Sequence, residues 1–283
     1  MTALPKPLRR LLKLPLTLAL RCGFIRRRVA FEIKHHWFRD LELAIPLTDD
    51  FCCPIPELDS LYSFSEIFAA EEYGSFLREL PLPGRWIDLG SHTGYFTLYL
   101  AWQHAVARSG VDWRALLIDA DPRVEVLARQ TLEKNKVGAH CQFLSGLISR
   151  ETGTRDFALR PGMGSSTDLK LAGVQSVQRV RTITPADILA ALPPPYDLVK
   201  IDIEGAEYDF LECYEQVFAQ ARAILIEWHA SDETDSGAER VQSLLAPHGF
   251  QLIKTLRPVR VLNIEGVRFS SGVQLYRRSA EAA

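Results

Sequence analysis

The sequence predicts a doubly wound α/β fold, a mostly parallel sheet covered by helices on both faces. From about residue 61, strand-like and helix-like segments alternate to the end of the chain. An apolar strand at Arg85–Leu89 runs straight into a glycine turn. Two late segments, Phe250–Leu256 and Val273–Arg277, are placed to close the sheet as an antiparallel edge pair.

The elements follow in order. The Pro81–Gly84 turn introduces strand Arg85–Leu89, and a helix runs from about Gly94 to Ala107. Arg108–Arg114 reads as a loop insertion before strand Ala115–Asp119. Helix Pro122–Asn135 has Asp121 as N-cap and Pro122 at its first position, with Val124, Leu127, Thr131 and Leu132 on one face. Cys141–Ser145 is a strand. Arg150–Asp168 lacks a helix period and reads as a hairpin or excursion over one end of the sheet. Val177–Ile183 is strand-like, Thr184–Leu192 a short helix, and Tyr196–Ile203 a strong strand. The next helix buries Phe210, Leu211, Tyr214, Val217 and Phe218. Ala223–Trp228 is a strand, and helix Ser236–Pro247 stops at His248-Gly249. In such a sheet a ligand sits outside the carboxyl ends of the strands, where the strand order reverses.

The 283 residues, 47% of them apolar and 24% charged, suffice for a large core. A net charge of −2 gives no general attraction to nucleic acid. The five cysteines form no CxxC pair, so neither a disulfide framework nor a zinc knuckle is indicated, and reduced thiols of a cytoplasmic protein are expected. Residues 1–60 read as a basic extension and connector, and residues 61–283 as the main domain. Residues 1–40 hold ten Lys or Arg against Glu32 and Asp40. Lys13, Pro15 and Arg21 interrupt the apolar run, where a transmembrane span needs about 20 apolar residues. Neither a span nor a cleaved signal is expected. The segment reads either as a basic surface touching an anionic membrane, or a partner, or as a helical extension packing its leucines on the main domain.

The chemistry concentrates in three places. In Asp88-Leu89-Gly90-Ser91-His92-Thr93-Gly94-Tyr95-Phe96 a strand ends near an acid and then two glycines four residues apart. Gly90 permits a tight turn, Gly94 a close approach of the helix, and the amides at the helix start are free for an anionic group. A dinucleotide turn would carry GxGxxG, and His92 stands where its middle glycine would be. Asp88 would repel a pyrophosphate but can pair with a cationic amino-acid moiety. At the next strand end, Asp119 is placed for the hydroxyls of a ribose, with Ala120 beside it. Together these residues narrow the ligand to S-adenosylmethionine, and Gly146 and Leu147, after the third strand, are expected to complete its site. Third, Lys200, Asp202 and Glu204 alternate along a buried strand and would share one face, and the next strand ends Glu227-Trp228-His229. Buried charges are costly unless paired or functional.

The order Asp88–Phe96, Asp119–Asn135, Lys200-Ile-Asp-Ile-Glu-Gly-Ala-Glu207 and Glu227 resembles the FkbM-type methyltransferases over roughly residues 84–230. The Lys200–Glu207 block is the specific part. The resemblance implies a seven-stranded sheet with a reversed last strand, S-adenosylmethionine as methyl donor, and O-methylation of a sugar, glycolipid or polyketide hydroxyl. The chain departs from the family at Asp119-Ala120, where Glu-Pro is usual, at Ser91-His92, where Ala-Asn is common, and at Ala186-Asp187, where Leu-Asp is common.

The expected site therefore comprises Asp88, Gly90, Ser91, His92, Gly94, Tyr95, Asp119, Ala120, Gly146, Leu147 and Asp202 for the cofactor. Asp202, Glu204, Glu227 and His229 are expected at the chemistry, with His229 the proton acceptor on intrinsic pKa. A Mg²⁺ held by Asp202, Glu204 and Glu227 is one reading of the acids. A structural ion-pair network of Lys200, Glu204 and Glu207 is the other. Arg160–Thr167 is expected to flank the pocket of a small-molecule or glycan acceptor, or to be a plain surface excursion. Pro194-Pro195-Tyr196 precedes its strand, where a methyl-facing motif would have to follow it, and reads as a turn. A nicotinamide-dependent oxidoreductase and a non-catalytic cofactor-binding scaffold are the competing readings.

Overall fold

A computed structural model of the chain describes residues 42–70, 72–160, 174–230, 237–264 and 267–279. The basic segment 1–40 and residues 161–167 of the expected acceptor loop lie outside the described residues.

The chain divides into a unit ending at Ser65 and one beginning at Glu66. In the first, β1 (Leu43–Pro46) pairs antiparallel with β2 (Cys52–Ile55), followed by helix α1 (Leu58–Phe64). The sequence presents residues 41–60, rich in Pro, Asp and Cys, as a connector. A two-stranded ladder tolerates proline, since each strand is an edge.

The second unit runs β3 (Arg85–Leu89), α2 (Tyr95–Ala107), β4 (Arg114–Asp119), α3 (Pro122–Lys134), β5 (Cys141–Ser145), β6 (Thr154–Leu159), β7 (Ser176–Arg181), α4 (Pro185–Ala191) and β8 (Tyr196–Ile201). It continues with α5 (Glu207–Cys213), α6 (Glu215–Phe218), β9 (Ala221–Ala230), α7 (Gly237–Leu245), β10 (Phe250–Ile264) and β11 (Val267–Arg278). The seven-stranded sheet has the order β10-β11-β9-β8-β3-β4-β5. Strands β9, β8, β3, β4 and β5 are parallel, and β11 inserts antiparallel between β9 and β10. The fold is thus the expected doubly wound α/β sheet. Its order reverses between β3 and β8, so their carboxyl ends frame the binding crevice.

Local chemistry explains the elements. Asp121 accepts the Arg123 N–H as N-cap of α3, and Thr184 and Asp187 form a reciprocal capping box on α4. Ile87, Leu89, Val199, Ile201, Ile224 and Ile226 are buried, the near-continuous apolar pattern of strands covered on both faces. All five apolar residues expected after β8 are buried, spread over α5, α6 and Tyr214 between them. The excursion after β5 is a hairpin, with β6 and β7 paired from Thr154↔Arg181 to Leu159↔Ser176.

Two strand ends differ from expectation. β8 stops at Ile201, not Ile203, because Glu204 (φ +52°) and Gly205 (φ +100°) turn the chain away. β10 runs to Ile264 rather than ending before Pro258. It is an edge strand, where proline's missing N–H costs no ladder bond. Its register slips between Thr255 and Arg257 and again between Arg257 and Arg260. Among the described residues no helix is long and apolar enough to cross a membrane, and Cys52, Cys53, Cys141 and Cys213 are free thiols.

Candidate active site

The glycine turn is built on close approach. The N–H groups of Gly90 and Ser91 donate to the Ile118 carbonyl at 2.9 and 3.1 Å, tying the turn to β4. Gly90 has φ +71°, and a Cβ there would lie 1.6 Å from the carbonyl oxygen of Asp202. Glycine is thus required by the neighbouring strand end as well as by the turn. A Cβ on Gly94 (φ +76°) would already press on Leu117, so the start of α2 lies tight against β4.

Asp88 sits beneath this turn, fully buried. Thr97 Oγ1 donates to its Oδ2 at 3.0 Å, and Trp86 Nε1 donates in turn to Thr97 at 3.1 Å. Lys200 Nζ lies 3.5 Å from the other oxygen of Asp88 and 3.3 Å from Asp202, and donates to the carbonyls of Gly90 (2.9 Å) and Leu89 (3.3 Å). Burial opposes the Lys200 charge, but Asp202 and Asp88 outweigh it and raise its pKa. The cation expected opposite Asp88 is therefore supplied by the protein. Asp88 shapes the turn from below, and one ammonium joins β3, the turn and β8.

Asp119 divides its oxygens between the glycine turn and its own strand end. Oδ2 accepts the His92 N–H at 2.8 Å and Oδ1 the Asp121 N–H at 2.9 Å. Burial still pushes its carboxyl up to about 6, against those two bonds. Burial, helped by Lys200, lowers His92 to about 4, so the ring is neutral at pH 7. Ala120 and Leu147 join an apolar cluster with Phe157, Leu159 and Val180. Gly146 donates to the Asp119 carbonyl at 2.9 Å, and a Cβ on it would strike Arg181 and Ile183. Tyr95 is a core residue, edge-on to Phe68 at 6.3 Å. Gly90, Ser91, His92 and Asp119 thus gather at the crevice, while Asp88, Tyr95 and Leu147 are drawn inward. The first-turn N–H groups of α2 have no intrahelical acceptor, and the buried Ser91 Oγ has no hydrogen-bond partner among the described residues. These donors fit the carboxylate end of an amino-acid cofactor.

The ends of β8 and β9 form a charged recess. His229 Nδ1 lies 2.9 Å from Glu207 Oε1, and its Nε2 lies 3.6 Å from Glu227 and 3.9 Å from Glu204. Glu207, fully buried, also accepts the N–H groups of Ile203 (3.1 Å) and Gly205 (3.1 and 3.0 Å). It therefore pins the loop carrying Glu204 and aims the imidazole. Lys200, Asp202 and Glu204 do not share a strand face as the alternation suggested. The strand ends first, and the pinned loop brings Glu204 to the recess by another route.

The environment raises the pKa of His229 and Glu204 and lowers that of Glu227. Burial disfavours the His229 charge, but bonding to Glu207 and Glu227 and the charge of Glu204 outweigh it and hold the ring protonated. Burial likewise opposes the Glu227 charge, yet His229 and Arg257 bring it down to about 2. Desolvation, with Asp202, Glu207 and Glu227 around it, pushes Glu204 up to about 7 against the pull of His229. Its side chain keeps 45% exposure, which tempers that shift, while the neighbouring negative charge sets its direction.

Three residues of this recess escape a reading of the sequence. Arg257 contacts Glu227 and, at 2.7 Å, Glu72, and the Tyr73 hydroxyl donates to Glu227 Oε2 at 3.1 Å. No local motif marks them. Asp202, Glu227 and His229 do bring one ligand atom each within 4.8 Å of one another. Lys200 and Arg257 already stand as the cations against Asp202 and Glu227, so the set does not fit Mg²⁺.

The sequence pattern of the FkbM methyltransferase domain matches residues 88–252, more than half of the chain and all of the turn and recess acids from Asp88 to Glu227. The chain belongs to the FkbM methyltransferase family. Tyr73 and Arg257 of this FkbM protein fall outside the matched span. No curated protein matches it. Solved structures similar to it include precorrin 8W decarboxylase from Methanobacterium thermoautotrophicum, with 15% identity over 74% of this chain and 90% of that one, at TM-score 0.42. Ribosomal protein L11 methylase from Lactobacillus delbrueckii subsp. bulgaricus overlaps at 14% identity, 74% and 77% coverage and TM-score 0.39. TehB from Haemophilus influenzae does so at 11% identity, 76% and 66% coverage and TM-score 0.44. The strand order seen directly in the sheet, rather than these partial overlaps, assigns the class I methyltransferase architecture to the FkbM chain.

Proposed function

We propose that the protein is an S-adenosylmethionine-dependent O-methyltransferase acting on a hydroxyl of a small molecule or glycan. The observation that carries this reading is the Glu204–His229–Glu207 arrangement beside the glycine turn. An alcohol is a weak nucleophile at neutral pH, and a base with a pKa near 7 within reach of it is what the reaction needs. Glu204 is the accessible acid of the recess and the one pushed up to about 7. The bound cofactor would supply an electrophilic methyl carbon, whose bond pair returns to sulfur as the acceptor oxygen bonds to carbon. The acceptor's proton passes to Glu204. His229, oriented by Glu207, donates from Nε2 toward the recess and stabilises the Glu204 anion until then. Ser91, His92, Asp119 and the α2 amides hold the cofactor, and Lys200 keeps the turn in shape beneath it. Alignment of the two reactants supplies the rest of the rate.

Binding of S-adenosylhomocysteine by calorimetry, and methyl transfer from labelled S-adenosylmethionine to a panel of hydroxylated acceptors, test this directly. Glu204→Gln should lower kcat by about 10²- to 10⁴-fold with product binding intact. If the folded protein does not bind S-adenosylhomocysteine, the reading is wrong. If Glu204→Gln keeps full kcat on an accepted substrate, the base is another group.

A further inference from the structure

Glu227 is held in a way that Glu204 is not. Arg257 lies on β10, two strands away, in the cross-strand row Arg257↔Val273↔Glu227. The backbones of the outer pair are then about 9.6 Å apart, two strand spacings, and the guanidinium must reach past Val273. The register of β10 slips on both sides of Arg257, and such irregularities re-aim a side chain. The side chain, 10% exposed, meets Glu72 with Nη1 and Glu227 Oε1 with Nη2, with Ser271 Oγ 3.4 Å away. Tyr73 takes the remaining oxygen of Glu227. Two stretches of chain, before β3 and on β10, thus converge on one carboxylate of β9.

A buried guanidinium between two acids is a poor way to gain stability, since apolar residues of similar volume are often as good. What it fixes is geometry and charge. We propose that Arg257 is a positioning residue of the acceptor site: it locks Glu227 as the standing counter-anion of His229, leaving Glu204 to take the acceptor's proton. The second half of that statement rests on the base assigned above; the lock itself does not. His229 is faced by Glu204 and Asp202 from the loop after β8, by Glu207 from α5 and by Glu227 on its own strand. Glu227 is faced by Arg257, Tyr73 and His229, with Glu66, Asp202, Glu204 and Lys200 close enough to contribute charge.

The test is a pH titration of the full chain with carboxyl-labelled glutamate, followed by NMR, with Glu227→Gln and Glu204→Gln assigning the signals. In the wild type Glu227 should stay ionised down to pH 4. In Arg257→Gln its midpoint should rise into the observed window by one unit or more, and Arg257→Lys should bring it back in large part. A purely packing role for Arg257 would lower the melting temperature and leave the Glu227 midpoint unmoved, which overturns the proposal. Should Arg257→Gln not fold, Arg257→Lys and Tyr73→Phe each still predict a smaller upward shift, and no shift in either has the same consequence. The Glu204 signal reports separately: a midpoint far from 7 removes the base assignment while the lock stands or falls on Glu227 alone.

Discussion

At the ends of β3 and β4, Asp88 is held by Thr97, 9 residues on, and Asp119 by Asp121, 2 residues on, and by the His92 backbone across 27. At the ends of β8 and β9, Glu227 is held by Tyr73 and Arg257, 154 and 30 residues away, and Arg257 is itself braced by Glu72 across 185 residues. The first region satisfies its acids with backbone N–H groups, a hydroxyl and one buried lysine, in a packing arrangement that leaves no slack. The second matches side-chain charge against side-chain charge. Damage to the turn should therefore appear as loss of fold. Damage to the recess should appear mainly as altered titration.

The largest effect is expected at Gly90. Alanine there would place its Cβ 1.6 Å from the Asp202 carbonyl oxygen, at φ +71°. The left-handed backbone costs roughly 1–2 kcal/mol and the overlap roughly 1–3 more, so Gly90→Ala should lose about 4 kcal/mol in urea unfolding. A loss below about 1 kcal/mol would mean the turn and β8 can separate. Lys200→Met comes next. It leaves Asp88 and Asp202 without their shared cation and should cost about 3 kcal/mol. Adding Asp88→Asn should recover part of that loss; simple additivity of the two changes would deny that the pair is coupled.

The same contrast governs what the sequence discloses. The turn is legible because its determinants lie within a few residues of one another. Asp88, Gly90 and Gly94 share one strand-turn-helix, and Asp119 and Asp121 share one strand end and cap. Even there the inward pull on Asp88 is hidden, because Lys200 is supplied by another strand. The recess is legible only in part. The alternation of Lys200, Asp202 and Glu204 flagged buried charge, but the left-handed residue Glu204 ends the strand logic two residues early. Arg257 is invisible for a topological reason. Its neighbour Pro258 looks like a strand stop, and only the place of β10 at the sheet edge lets the strand continue. Intrinsic pKa pointed to His229 as base, whereas the acids gathered around it by the fold make it the proton holder.

Asp119 sharpens the comparison through pH. Its folded-state pKa, about 6, lies above the ordinary 3.8, so between these values the folded chain keeps a proton that the unfolded chain releases. Stability from this group is complete below about pH 4 and is lost as pH rises through 6, by on the order of 3 kcal/mol. Asp119→Asn cannot titrate, so urea midpoints measured from pH 4 to 7 should lose that downward component. An unchanged slope would show that Asp119 ionises in the fold as it does in solvent.

The smallest effect is expected at Tyr73. Its hydroxyl is a single donor to Glu227, and Arg257 and His229 remain on the same carboxylate when it is gone. Tyr73→Phe should therefore cost about 1 kcal/mol or less, since one hydrogen bond is lost and the acceptor keeps other partners. The ring still packs edge-on against Phe96 at 5.6 Å, so no cavity opens. A loss above about 2 kcal/mol would mean that Glu227 depends on this one hydroxyl. The recess would then be as intolerant as the turn, and the distinction between a packed half and a charge-matched half of the site would fail.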